Sequence, residues 1–145
     1  MEIYTIGFTQ TTAERFFERL ADARIERLLD VRLNNTSQLA GFAKAQDLPY
    51  FAGRLVGATY EHEPLLAPTQ DILDAYKKRK GDWAAYELEF LALMGGRRIH
   101  ETLSPAAFER RTALLCSEAE AEHCHRRLVV EFLAERWPDV EIAHL

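Results

Sequence analysis

Several things are scarce in this chain, and each scarcity removes a class of protein. Only two cysteines occur among 145 residues. That is too few for a disulfide-stapled secreted domain, so both are expected to be thiols in a reducing compartment. No apolar run approaches the roughly 18–20 residues that a membrane-crossing helix needs. The start, Met1-Glu2-Ile3-Tyr4-Thr5-Ile6-Gly7, has no basic, apolar and cleavage-site regions of a secretory signal, which points to a cytoplasmic location without membrane contact. Basic residues are in deficit, with a formal net charge of -5, so generic duplex DNA binding by counterion release is not expected. The one basic cluster, Lys77-Lys78-Arg79-Lys80, is read as a solvated helix end that complements the carbonyl pole of the helix dipole. A dinucleotide fingerprint, a glycine-rich phosphate loop and a serine elbow are also missing, which excludes the commonest α/β enzyme classes and names no cofactor.

What remains is a globular pattern, 48% apolar and 28% charged, of a length that suits a single domain spanning residues 1–145. Strands are predicted at Ile3 to Ile6, stopping at Gly7, at Arg27 to Arg32, at Ala58 to His62, at Thr112 to Cys116 and at Val140 to Leu145. Helices are predicted from caps at Thr11 or Thr12, Asp47, Thr69 and Asp82, the last of these helices ending at Gly95-Gly96. A short turn is expected at Ser104-Pro105 and a long helix after Cys124. The polar stretch from Leu33 to Gln46 reads as a long loop of the kind that carries function. Alternating strands and helices predict an α/β domain, a mostly parallel five-stranded sheet with helices on both faces, Rossmann-like but without the dinucleotide fingerprint.

In such a sheet Gly7, Asp30, Arg32 and Cys116-Ser117-Glu118 all fall at carboxyl ends of strands, the rim where open α/β sheets bind ligands. The helix opening near Cys124-His125-Arg126 adds amides and a dipole that favour a small anion there. Arg32 and Arg126 are forked donors suited to phosphate or carboxylate. Asp30 either orients one of them, acts as acid or base, or forms a structural ion pair with it. Cys124, at a helix start beside His123, His125 and Arg126, is the better candidate for a reactive thiolate. Cys116 is either a second thiol for chemistry or a small apolar residue at a buried strand end. Cys116, His123, Cys124 and His125 also supply metal-ligand chemistry, but their spacing is unlike a structural zinc site and adjacent helical residues point apart, so no metal site is predicted.

Tyr4-Thr5-Ile6-Gly7, Asp30-Val31-Arg32, and Leu114-Leu115-Cys116-Ser117-Glu118 with Glu122-His123-Cys124-His125-Arg126 resemble the bacterial and archaeal family called domain of unknown function 488. The resemblance implies a compact α/β fold and a site among these motifs, without an established activity. Phe8 stands where many relatives carry histidine, so a mechanism built on that imidazole does not transfer; a ring there suits stacking on a flat ligand or a lid over the sheet edge. Two functional readings follow. One is a small enzyme acting on an anionic, nucleotide-like ligand at the strand rim, with Gly7, Phe8, Arg32, Ser117, Glu118, His125 and Arg126 as binding residues. The other is a non-catalytic module that binds a small anion, nucleic acid or a protein. Oligomeric state is not legible.

Overall fold

The computed structural model describes residues 1–36 and 40–145. Ser37, Gln38 and Leu39, the centre of the polar loop, lie outside the described residues. Five strands, β1 (Glu2–Gly7), β2 (Arg27–Asp30), β3 (Thr59–His62), β4 (Thr112–Cys116) and β5 (Glu141–His144), form one sheet in the order β3-β2-β4-β1-β5. Every pairing is parallel, with Gly7 opposite Cys116 and Asp30 opposite Leu115. The central strands are buried on both sides, which is why their sequences run apolar without alternation.

Side-chain alternation along each strand divides the core in two. Ile3, Leu29, Leu114 and Cys116 face one layer, packed under α3 (Gln70–Lys77), α4 (Trp83–Arg97), α5 (Ile99–Thr102) and α6 (His125–Arg136). Tyr4, Ile6, Leu28, Ala113 and Leu115 face the other, covered by α1 (Ala13–Asp22) and α2 (Leu48–Leu55). The chain leaves β2 toward β3 under one layer and leaves β4 toward β5 under the other. The carboxyl ends of β2 and β4 therefore form the topological switch point, where the diverging connections open a crevice. No helix among the described residues is long and apolar enough to cross a membrane.

Local chemistry sets the helix starts. Thr12 caps α1 by accepting from the Arg15 amide at 3.1 Å, and Thr69 and Asp82 cap α3 and α4 in the same way. The expected stop of α4 at Gly95-Gly96 is wrong: the helix runs on to Arg97, and Arg98 supplies the left-handed cap at φ 52°. Two glycines cost helix propensity, but burial of Tyr86, Phe90 and Met94 on the same helix outweighs them. A β-carbon built at Gly96 meets nothing within 4 Å. Gly96→Ala is therefore expected to stabilise the protein by about 0.5–1 kcal/mol, read as a higher urea midpoint with unchanged slope.

β2 ends two residues earlier than its sequence suggests. Val31 still donates to the Leu115 carbonyl at 3.0 Å, but the Arg32 amide turns to Oδ1 of Asp30 at 3.1 Å. That turn carries the chain out of the sheet and over the crevice.

Candidate active site at the switch point

A cavity of about 280 Å³ opens at this crevice. Its floor is the end of β4 and the start of α6, with Cys116, Ser117, Cys124 and His125. Arg32, Leu33 and Asn34 after β2 form one wall, while Tyr76 and Lys77 of α3 with Trp83 and Tyr86 of α4 form the other. Trp83 is stacked between His123 and Tyr86, with ring centroids 4.9 and 5.0 Å away. The basic run contributes here: Lys77 Nζ meets the Glu118 carboxylate at 2.7 Å across the cavity mouth, so this residue is not merely a solvated helix end.

At the floor, His125 Nε2 lies 2.7 Å from the Val31 carbonyl oxygen. A carbonyl only accepts, so Nε2 carries the hydrogen and Nδ1 is turned toward Cys116 Sγ, 3.6 Å away. Cys116 is held well below the usual thiol range, first by a hydrogen bond from Cys124 and then by the His125 imidazole, against the opposing effect of burial. Burial alone would lower the His125 pKa, but the Cys116 thiolate and the Val31 carbonyl raise it. Cys124 moves upward, because it is buried and donates to its neighbour's sulfur.

The surroundings of the two cysteines differ from those expected. Cys124 is 2% exposed, not partly solvated, and caps α6 in an extended conformation (φ -137°, ψ 140°) rather than lying within the helix. Cys116 is the thiol beside the imidazole. The same backbone conformation corrects the expectation that Cys124 and His125 diverge, which holds only inside a helix. Their donor atoms and that of Cys116 lie within 4.8 Å of one another, giving two sulfurs and one imidazole. Among the described residues no fourth histidine, cysteine or carboxylate joins them, so the set falls short of a closed structural zinc site.

The two arginines expected to grip an anion are largely committed to the protein. Arg32, 3% exposed, donates from Nε and Nη2 to the fully buried Asp30 at 2.9 and 2.8 Å, and from Nη2 to the Ala43 carbonyl at 2.6 Å. Tyr60 donates to the same carboxylate at 2.5 Å, which with burial pushes its own pKa up to about 12. Asp30 thus forms the structural ion pair with Arg32. Of the Arg32 side-chain nitrogens only Nη1 has no hydrogen-bond partner among the described residues, and Arg32 is one of the residues that line the cavity. Arg126 is 1% exposed and donates to Thr5 Oγ1 and to the carbonyls of Glu118 and Ala119, fastening the loop after β4.

Gly7, at the end of β1, and Phe8 are not among the residues that line the cavity. A β-carbon at Gly7 would lie 1.7 Å from the Glu118 carbonyl oxygen, so the glycine admits that loop. Phe8 is buried at 2% exposure, with the Arg32 guanidinium 5.0 Å from its ring centroid and Phe42 edge-on at 6.5 Å. It packs in the α1–α2 layer and does not line the cavity. Ser117 accepts from Thr9 through its carbonyl, and Glu118 pairs with Lys77, while both contribute to the cavity lining. The Val31 carbonyl has no sequence signal, because any residue supplies one. Trp83 could have been found only by knowing that α4 folds over the end of β4.

The protein is thus a parallel α/β domain with a cysteine–histidine pair and a second thiol at its switch point. The chain belongs to the family described as domain of unknown function DUF488, whose model matches residues 12–133. The matched span contains Asp30, Arg32, Cys116, Cys124, His125 and Arg126 and begins after β1. No curated protein and no solved structure gives a significant match.

Proposed function

We propose that the chain is a small thiol-dependent enzyme in which Cys116 is the nucleophile and His125 its proton acceptor. The observation that carries this reading is the 3.6 Å approach of Nδ1 to Sγ on a cavity floor, with the imidazole fixed from behind by Val31. A nucleophile within reach of a base that is itself oriented by a third group is the arrangement that activates cysteine. The substrate is small and mostly apolar, matched to the aromatic wall, and an anionic group on it would lie against the wall to which Arg32 belongs. Asp30 contributes indirectly, by holding Arg32, and the phosphate grip expected of Arg126 has no free donor face to support it.

The test is alkylation with iodoacetamide across pH, mapped by mass spectrometry. A free thiol titrates near about 8.5, so its alkylation rate falls roughly tenfold per pH unit below that value. Cys116, with its depressed pKa, is expected to stay reactive below neutral pH and to lose reactivity only as pH falls through that lower value. Cys124 is expected to react more slowly at every pH below its own raised value. His125→Ala should slow Cys116 at pH 6 by at least about tenfold, because general base assistance is typically worth about 100-fold or more. Equal, ordinary reactivity of both cysteines would remove the reading. Stoichiometric zinc in protein purified without chelator, lost together with Cys124→Ala, would replace it with a metal centre built on the same three donors.

A further inference from the structure

A nucleophilic thiol needs one cysteine, and the site contains two. Beyond its effect on the Cys116 thiolate, Cys124 forms no bond in attack by Cys116 on a carbonyl or alkyl centre, yet the fold brings it to Cys116 from a different element. It is the residue before α6, eight positions along the chain from Cys116, and its sulfur lies within 4.8 Å of both Cys116 Sγ and a ring nitrogen of His125. Both cysteines are free and buried. A second thiol is useful where the first is oxidised, because it returns the first to a defined, reducible state.

We propose that Cys116 and Cys124 form a redox couple that reduces a small hydroperoxide, with Cys116 the attacking thiol and Cys124 the resolving one. This rests on Cys116 being the reactive thiolate and names the substrate class for the same site. In the first step the Cys116 sulfur attacks the terminal peroxide oxygen and the O–O bond breaks. The organic oxygen leaves as an alcohol, taking its proton from His125 Nδ1, and Cys116 becomes a sulfenic acid. In the second step the Cys124 sulfur attacks Cys116 Sγ, an S–S bond forms, the S–O bond breaks, and the hydroxyl leaves as water with the Cys124 proton. One hydroperoxide and two thiols give one alcohol, one water and one disulfide, and an external dithiol returns the pair to the reduced state. The sulfurs must close from within 4.8 Å to about 2.05 Å, a movement that requires a shift at the helix start. Large oxidants are excluded, since Cys116 is 5% exposed at the floor of a cavity of about 280 Å³. The apolar and aromatic lining from Leu33, Tyr76, Trp83 and Tyr86 suits a hydroperoxide with a hydrocarbon substituent.

The experiment treats the reduced, metal-free protein with one equivalent of cumene hydroperoxide at pH 6 and follows intact mass, thiol count and dimedone labelling. The expected result is loss of two hydrogens, disappearance of both thiols together and no dimedone adduct, reversed by dithiothreitol. The rate should exceed that of free cysteine by at least about tenfold at this pH, where an ordinary thiol is almost wholly protonated. Cys124→Ser is expected to stop at a sulfenic acid on Cys116 that dimedone traps, while Cys116→Ser consumes no hydroperoxide. The wild-type measurement stands without either variant. Oxidation of Cys116 to a sulfinic acid with Cys124 still free to alkylate overturns the proposal while leaving Cys116 as the nucleophile of another reaction. So does fast disulfide formation with glutathione disulfide but not with hydroperoxide, which points to thiol–disulfide exchange. A Cys116 that is no more reactive than free cysteine toward both iodoacetamide and hydroperoxide overturns this proposal and the enzyme reading together.

Discussion

Asp30→Ala is expected to destabilise the protein by about 3–5 kcal/mol, read as a fall in urea midpoint at constant slope. Asp30 is fully buried and takes the Arg32 amide, Nε and Nη2 as well as the Tyr60 hydroxyl. Its loss leaves a guanidinium in the interior with no counter-charge, and the energy of that state exceeds anything the pair gains over water. A paired replacement separates the two effects. Asp30→Leu combined with Arg32→Met removes both charges and should cost less than Asp30→Ala alone, because no unpaired ion remains. If the double variant is the less stable of the two, the pair contributes through its hydrogen bonds to Tyr60 and Ala43 rather than through charge compensation. Thiol reactivity is the second readout. Arg32 is part of the cavity wall, so a folded Asp30→Ala protein in which Cys116 alkylates at an unchanged rate would show that the wall does not depend on this pair.

The sheet was legible from sequence for a physical reason. β1, β2 and β4 lie at the centre with both faces covered, so burial forces near-continuous apolar runs that a linear reading detects. Edge strands β3 and β5 are mostly exposed, and their detection depended on β-branched, aromatic and alternating residues. The α4 terminus was misread because two glycines are a local stop signal, whereas the helix is held by packing contacts that are not local. At the site, the placing of Cys116 and of the helix start at Cys124 on one rim followed from topology, whereas the approach of the Cys124 and His125 donor atoms to each other did not. Which cysteine is activated did not either. On the proposed reading that choice depends on the imidazole tautomer, set by the backbone carbonyl of Val31, just past β2 and 94 positions from His125. The arginines illustrate the same limit: their forked chemistry is visible in sequence, but the carboxylate and carbonyls that occupy the forks appear only in three dimensions.

Gly7→Ala should also be strongly damaging, and for a reason that joins the fold to the site. The added methyl would lie 1.7 Å from the Glu118 carbonyl oxygen, 2.7 Å from its carbon and 2.9 Å from Arg126 Nη1. Two of those three atoms belong to backbone, so relief requires the loop from Ser117 to His123 to move rather than a side chain to swing away. Overpacking of an interior usually costs about 1–3 kcal/mol, and a clash with fixed backbone places this substitution at or above the top of that range. The displacement acts on the thiols as well. Arg126 Nη1 donates to that carbonyl at 2.6 Å, and the loop connects Cys116 to Cys124. Gly7→Ala is therefore expected to lower the urea midpoint and, in the fraction still folded, to slow alkylation of Cys116 at pH 6 toward the rate of free cysteine. Gly57→Ala is the control, because it carries backbone strain at φ 77° with no neighbour within 4 Å and lies far from the loop in sequence. It should lower stability while leaving thiol reactivity in the folded protein unchanged. Equal loss of reactivity in both variants would trace the effect to general destabilisation and break the proposed link between the glycine, the loop and the cysteine pair.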